Sequence, residues 1–215
     1  MAAGAWFGFD HARAGTLGAY LAVVAPSFAI AAFHVVEVVR EGKKSPRFQK
    51  LVPRWGDLSL GFVVALAMFG SSYGIVRLVA GSGKAIWVTR IYDQAGDTGV
   101  LKDHLVLVGV GMVVAAIAEE LAWRGFVRDA LLSRLGSKAW LASAVFYAVA
   151  HLATVWRLAD ELMGKNPLLV LGTLASGLVY GAMSESTKRL APAVVAHALF
   201  DWTVIVMFRL YGTSV

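Results

Sequence analysis

The feature that most constrains this chain is a series of apolar blocks, each close to the length that crosses a bilayer. A transmembrane helix needs about 20 consecutive apolar residues. Only 16% of the 215 residues are charged, whereas a soluble domain usually has about 25%. The sequence therefore predicts an all-α, polytopic integral membrane protein of about six transmembrane helices, with its site inside the helix bundle. The six predicted spans cover about 15–39, 58–80, 106–123, 139–156, 167–184 and 192–210.

Basic residues predict how these spans are oriented. The segment from Arg40 to Arg54 is the most basic loop, and the positive-inside rule places such loops in the cytoplasm. Alternation from there puts the loops near Arg124–Lys138 and Lys188–Arg189 inside as well, with both termini outside. We interpret the net charge of +6 as an orientation signal and expect no nucleic-acid partner.

Small residues four apart occur within two of the spans. The pairs are Gly70 with Gly74 and Gly177 with Gly181. Such pairs allow helix backbones to approach closely. We therefore expect both pairs to lie at helix–helix contacts.

Charged side chains are rare inside a membrane, and a cluster of them indicates a functional site. The third span ends in Glu119 and Glu120, followed by Arg124. Residues four apart share a helix face, so Glu120 and Arg124 are placed to pair. Glu119 lies about 100° further round the helix and lacks that partner. This geometry nominates Glu119 for chemistry and the other two residues for support, although all three are also compatible with a solvated helix end.

Two later spans contain further polar residues. His151 is placed in the middle of the fourth span, and His197 and Asp201 share a face of the sixth. Each of these is also compatible with a hydrogen bond that only joins helices. Because all of them are expected between the inner boundary and the membrane midplane, one cavity is expected to collect them with Glu119.

The residue types limit the chemistry. The chain has no cysteine, and the His-Glu-x-x-His motif of zinc peptidases is absent. A zinc ion held by His151, His197 and a carboxylate remains an alternative. The other possibility is water activated by Glu and His, with a second polar pair stabilising the oxyanion and no metal or cofactor required.

Three motifs occur in order on successive spans: Glu-Glu-x-x-x-Arg from Glu119, an aromatic residue four positions before His151, and His197-x-x-x-Asp201. Their order resembles the CPBP family of CAAX proteases and bacteriocin-processing enzymes, also called the Abi family, which contains glutamate-dependent intramembrane peptidases. The resemblance covers about residues 106–210. It implies that Glu119 is the catalytic glutamate and that His151 helps it to activate water. It also implies that His197 and Asp201 stabilise the oxyanion, with Glu120 and Arg124 in support.

The chain departs from the family at two positions. Tyr147 stands where the family usually has Phe, and Asp201 stands where Asn is frequent. An ionised carboxylate repels an oxyanion. Asp201 is therefore either held protonated, or ionised and turned towards His197 to fix that ring; we favour the second arrangement.

The sequence thus predicts a membrane-bound peptidase with two regions. Residues 1–105 form an N-terminal transmembrane region and residues 106–215 the catalytic core. The expected partners are the lipid bilayer and a membrane-associated peptide or protein substrate, and the expected location is the plasma membrane of a bacterium. The competing hypothesis is a non-catalytic membrane protein, such as an immunity factor, a scaffold or a transporter.

Overall fold

The protein is almost entirely helical. The computed structural model describes residues 1–211. Within this range the only β-type pairing is an isolated bridge between Asp160 and Gly164. The α-helices are α1 (Ala2–Gly8), α2 (Leu17–Glu41), α3 (Pro46–Leu51), α4 (Asp57–Gly81), α5 (Ala85–Asp93), α6 (Thr98–Asp103), α7 (Leu105–Glu120), α8 (Arg128–Leu135), α9 (Ala139–Ala150), α10 (Thr154–Arg157), α11 (Leu168–Thr187), α12 (Ala191–Asp201) and α13 (Phe208–Tyr211). π-helical turns at Leu121–Val127 and Trp202–Met207 join α7 to α8 and α12 to α13.

Five helical runs in the described part of the chain are long and apolar enough to cross a membrane. They confirm an all-α, polytopic membrane protein, although the sequence predicted about six spans. The difference arises in the third run, Leu105–Arg157, whose 53 residues count once among the five although the chain reverses within it at Gly136. The sequence analysis had divided this run into two spans.

The third run turns back on itself at Gly136, whose φ of +53° favours glycine. Beyond the turn, the Ser143 hydroxyl donates a hydrogen bond to the Trp123 carbonyl at 2.5 Å, so α9 lies alongside the segment that follows α7. The return arm is shorter than predicted, because α9 ends at Ala150 and has only 12 residues. His151 therefore lies at the end of a helix and not within one, while its predicted depth in the membrane stays a prediction.

Close helix contacts form at one of the two predicted glycine pairs. A Cβ added at Gly177 would come within 3.3 Å of Ala144 and Tyr147, and one at Gly181 within 2.9 Å of Trp140. This pair therefore lets α11 pack closely against α9. The other pair was wrongly predicted, since nothing lies within 4 Å of a Cβ added at Gly70 or Gly74.

The N-terminal helices pack directly on the helices that contain the motifs. A Cβ added at Gly61 of α4 would come within 2.6 Å of Val195 in α12, so these two helices are in intimate contact. In α2, the His34 ring lies against Gly125 of the first π-helical turn. The first two long helices thus form one wall of the bundle that holds the site.

The three basic loops meet at one end of the bundle. Lys50 lies 3.1 Å and Arg47 lies 3.2 Å from the carboxylate of Asp129. Arg189 bonds Asp57 at the start of α4, with Nε 2.8 Å from Oδ1. The loops that the sequence placed on a common side are therefore joined by ion pairs. The assignment of that side to the cytoplasm stays a prediction.

Candidate active site

The site forms where α7 gives way to the first π-helical turn. Glu119 and Glu120 are the last two residues of α7, and Arg124 lies within the turn. A π-helical turn adds a residue to a helix and is frequent at functional sites. Here it carries a buried Arg124 side chain towards α11, where Nη2 lies 3.4 Å from the carbonyl of Gly177.

Glu120 is the buried centre of the cluster. Its side chain is fully buried, and Arg124, which is 3% exposed, donates from Nη1 to Oε1 at 2.9 Å. The same oxygen lies 2.8 Å from Nδ1 of His197 on α12. The i,i+4 pairing of Glu120 with Arg124 that the sequence predicted is therefore present.

His197 has a carboxylate on each side of its ring. Because a carboxylate accepts hydrogen bonds, Nδ1 is the donor to Glu120. On the opposite edge, Nε2 lies 3.3 Å from Asp201 Oδ2 and 3.9 Å from Glu119 Oε2. Asp201 is thus turned towards His197, but the tighter and more deeply buried bond is the one from Glu120. The orientation of the ring is set mainly by Glu120, which the sequence analysis did not anticipate.

Glu119 has a partner that the sequence analysis missed. The Tyr147 hydroxyl on α9 donates to Glu119 Oε2 at 2.9 Å. As predicted, Glu119 is not paired with Arg124. The sequence feature that could have indicated this contact is Tyr147 itself, because it has a hydroxyl at a position where the CPBP family usually has Phe. What the sequence lacked was any indication that α9 brings this hydroxyl to the end of α7.

His151 lies one helical turn beyond Tyr147. Its Nδ1 is 2.9 Å from the Tyr147 carbonyl, and the two rings meet edge to face at 4.9 Å. A carbonyl only accepts, so Nδ1 carries the proton and the neutral ring has its lone pair on Nε2. No hydrogen bond of the described residues joins His151 directly to Glu119. These two residues are connected through Tyr147.

Metal ligation was kept as an alternative for these residues. Among the residues that the structure describes, no group of three His, Asp or Glu side chains is arranged to hold a metal ion. Instead, both nitrogens of His197 are directed at carboxylate oxygens, and Nδ1 of His151 is directed at a carbonyl. The donor atoms are therefore committed to each other in the present arrangement.

An apolar groove runs between α7 and α12. Its volume is about 470 Å³. Ala198, which lines it, follows His197 in the chain, and Trp202 lines it one residue after Asp201. The remaining lining residues are Leu105, Val106, Gly109, Val110, Val113, Val114 and Leu199. The groove thus provides an apolar surface, part of whose lining follows His197 and Asp201 directly in the chain, and none of the site residues lines it.

The fold and the site together define a multi-pass helical membrane protein with a buried cluster of carboxylates, imidazole and guanidinium. Residues 102–203 match the model of a protein family described as Type II CAAX prenyl endopeptidase Rce1-like. This match confirms the resemblance to the CPBP family and implies a membrane protease, a hydrolase that acts on a peptide or protein. No curated protein and no solved structure matches the chain.

Proposed function

We propose that this chain hydrolyses a peptide bond in a membrane-associated peptide or protein, with water activated by Glu119 and His151. The observation that carries the proposal is the convergence of Glu119, His197 and Asp201, supplied by α7 and α12, around a common point. His197 Nε2 lies 3.9 Å from Glu119 Oε2 and 3.3 Å from Asp201 Oδ2. Such a cluster has a base and hydrogen-bond donors together, as peptide hydrolysis requires.

Glu119 is the proposed general base. Its Oε2 is occupied by Tyr147, and its side chain is 13% exposed, which leaves the carboxylate accessible to a water molecule. In the reaction, Glu119 takes a proton from water as the oxygen attacks the scissile carbonyl. The proton is then delivered to the leaving amine, so the base is regenerated.

His151 is proposed to assist this proton transfer. Because Nδ1 is bonded to the Tyr147 carbonyl, the free lone pair of the neutral ring is on Nε2. This tautomer is the one that accepts a proton from water. Support for the role is therefore the ring's tautomer and its contact with Tyr147, the same residue that contacts Glu119.

His197 and Asp201 are proposed to stabilise the tetrahedral oxyanion. Held between the carboxylates of Glu120 and Asp201, His197 acts as an imidazolium with a proton on each nitrogen. Nδ1–H is anchored on Glu120, and Nε2–H is the donor that can reach the substrate. In the resting arrangement this donor faces Asp201. The oxyanion must therefore share or replace the contact with Asp201. Glu120 and Arg124 act in support by fixing His197 from the buried side.

The substrate is proposed to enter from the membrane with an apolar segment in the groove between α7 and α12. We place the catalytic core in residues 106–215 and give residues 1–105 a supporting role, because α4 packs closely on α12. The proposed location is the plasma membrane of a bacterium. The reaction class that fits is processing near a C-terminus, such as removal of a sorting tag or maturation of a bacteriocin or peptide.

The test is cleavage by the purified protein reconstituted into liposomes. The probes are short internally quenched peptides with apolar anchors, one of them bearing an S-farnesyl cysteine ahead of three C-terminal residues. Wild-type protein should cleave at least one probe, and Glu119→Gln should abolish cleavage without changing thermal unfolding. Glu161→Gln, in an exposed loop, is the matched control and should retain full activity. Wild-type turnover in the Glu119→Gln protein would reject Glu119 as the base.

A further inference from the structure

We propose that Tyr147 is a positioning residue whose hydroxyl holds the Glu119 carboxylate in its working orientation. The Tyr147 Oη atom donates to Glu119 Oε2 at 2.9 Å, which leaves Oε1 for the attacking water. This role rests on the proposed function, because it acts through the base. It goes beyond the resemblance, since Phe, the usual residue at this position in the family, has no hydroxyl to donate.

The Tyr147 ring is immobilised on several sides. The side chain is 4% exposed. Its ring centroid lies 5.4 Å from that of Trp123 and 4.9 Å from that of His151, and the Arg124 guanidinium carbon lies 4.8 Å from it. A ring held in this way has a hydroxyl of fixed position, which is what preorganised catalysis requires of its supporting groups.

A small residue on α11 makes room for this ring. A Cβ added at Gly177 would come within 3.3 Å of Tyr147 Cδ1. The predicted small-residue contact between α11 and α9 therefore sets where Tyr147 stands. The donor hydroxyl is on α9, the acceptor carboxylate is on α7, and Gly177 on α11 makes room for the ring. The hydrogen bond therefore forms only when α7, α9 and α11 are packed together.

Within the described part of the chain, the orientation of the Glu119 carboxylate depends on a single hydrogen bond, whereas the Glu120 carboxylate has two. Glu120 Oε1 is held by Arg124 and His197 together. By contrast, the Tyr147 hydroxyl makes the one hydrogen bond to the Glu119 side chain among the described residues, since His197 Nε2 is 3.9 Å away. Without it, the Glu119 side chain is free to rotate away from the water.

The first experiment compares Tyr147→Phe with wild type on the liposome-reconstituted protein and the peptide probes described above. A hydrogen bond to a charged group contributes about 1.5–3 kcal/mol, so kcat should fall about ten- to a hundredfold. KM should stay within about twofold, because the bond is not to substrate. Thermal unfolding should be unchanged, because the ring contacts are kept. The control is Tyr92→Phe, whose ring stacks on Phe208 in a different part of the bundle and whose loss should leave kcat unchanged.

The outcomes separate the two proposals. If wild type cleaves, Glu119→Gln does not, and Tyr147→Phe equals wild type, the positioning role is overturned while the proposed function stands. If Glu119→Gln cleaves like wild type, the proposed function itself fails.

A second measurement does not depend on finding a cleavable probe. Fluorotyrosine placed at position 147 should give a ¹⁹F resonance that shifts between the wild-type background and Glu119→Gln, because its hydroxyl loses a charged acceptor. Fluorotyrosine at position 92 should give the same resonance in both backgrounds. An identical ¹⁹F resonance at position 147 in both backgrounds would show that the bond is absent and would overturn the proposal.

Discussion

Replacing Arg124 with Gln should destabilise the protein strongly, because its partner is one of the most deeply buried charges in the described structure. Glu120 is fully buried and Arg124 is 3% exposed, with 2.9 Å between Oε1 and Nη1. Removing one partner of a buried ion pair costs about 3–5 kcal/mol. For a chain of this size, about 2–4 °C of melting temperature per kcal/mol corresponds to a fall of roughly 6–20 °C.

The assay is thermal unfolding of the purified protein in detergent, followed by tryptophan fluorescence. Lys188→Gln is the matched control. It removes the cation of an ion pair with Glu185, and the Lys188 side chain is 70% exposed. Exposed pairs contribute about 0–1 kcal/mol, so this variant should melt close to wild type. The double variant Glu120→Gln with Arg124→Gln should be more stable than Arg124→Gln alone. In the single variant the buried Glu120 carboxylate has lost its guanidinium and keeps only the bond from His197, whereas in the double variant a neutral amide takes its place.

Two results would refute this reasoning. One is an Arg124→Gln protein that melts within the same small interval as Lys188→Gln. The other is a double variant that is less stable than either single variant, which would show that the two residues do not act as a pair.

Three further predictions concern the same site. Asp201→Asn should keep kcat within about threefold of wild type, because Glu120 already fixes His197 and the Asn carbonyl still accepts from Nε2–H. Asp201→Ala, which has no acceptor, should lower kcat about tenfold. Equal losses of kcat in the two variants would contradict this. Tyr180→Phe should unfold at or above the wild-type temperature, because the buried Tyr180 hydroxyl has no hydrogen-bond partner among the described residues; a clear fall in melting temperature would show that the hydroxyl is paired. Treatment with a chelator should leave cleavage of the peptide probes unchanged; activity that is lost and then restored by zinc would favour the metal alternative.

The parts of the site that depend on local spacing could be predicted from the sequence. Glu120 and Arg124 are four residues apart on one helix, so their pairing followed from helix geometry alone, and the same holds for His197 with Asp201. The apolar blocks likewise indicated a polytopic helical protein. Apolarity alone did not give the number of spans, because the run from Leu105 to Arg157 reverses at Gly136 with only a short 3-10 turn between α8 and α9.

The parts that could not be predicted are contacts between distant segments. Tyr147 and Glu119 are 28 residues apart, and Glu120 and His197 are 77 apart, so no periodicity connects them. The helix before His151 was predicted too long for a local reason. The apolar sequence continues past Ala150, but the helix ends there, and apolarity alone does not encode a helix end.

The central claim is that Glu119 activates water instead of attacking the substrate itself. A single turnover in H₂¹⁸O, with enzyme in excess over a cleaved peptide probe, tests it directly. Mass spectrometry should find one ¹⁸O atom in the new carboxyl group of the product and none in the Glu119 side chain. A product with only ¹⁶O in that group, together with ¹⁸O in the peptide that contains Glu119, would show a covalent acyl-enzyme and contradict the account.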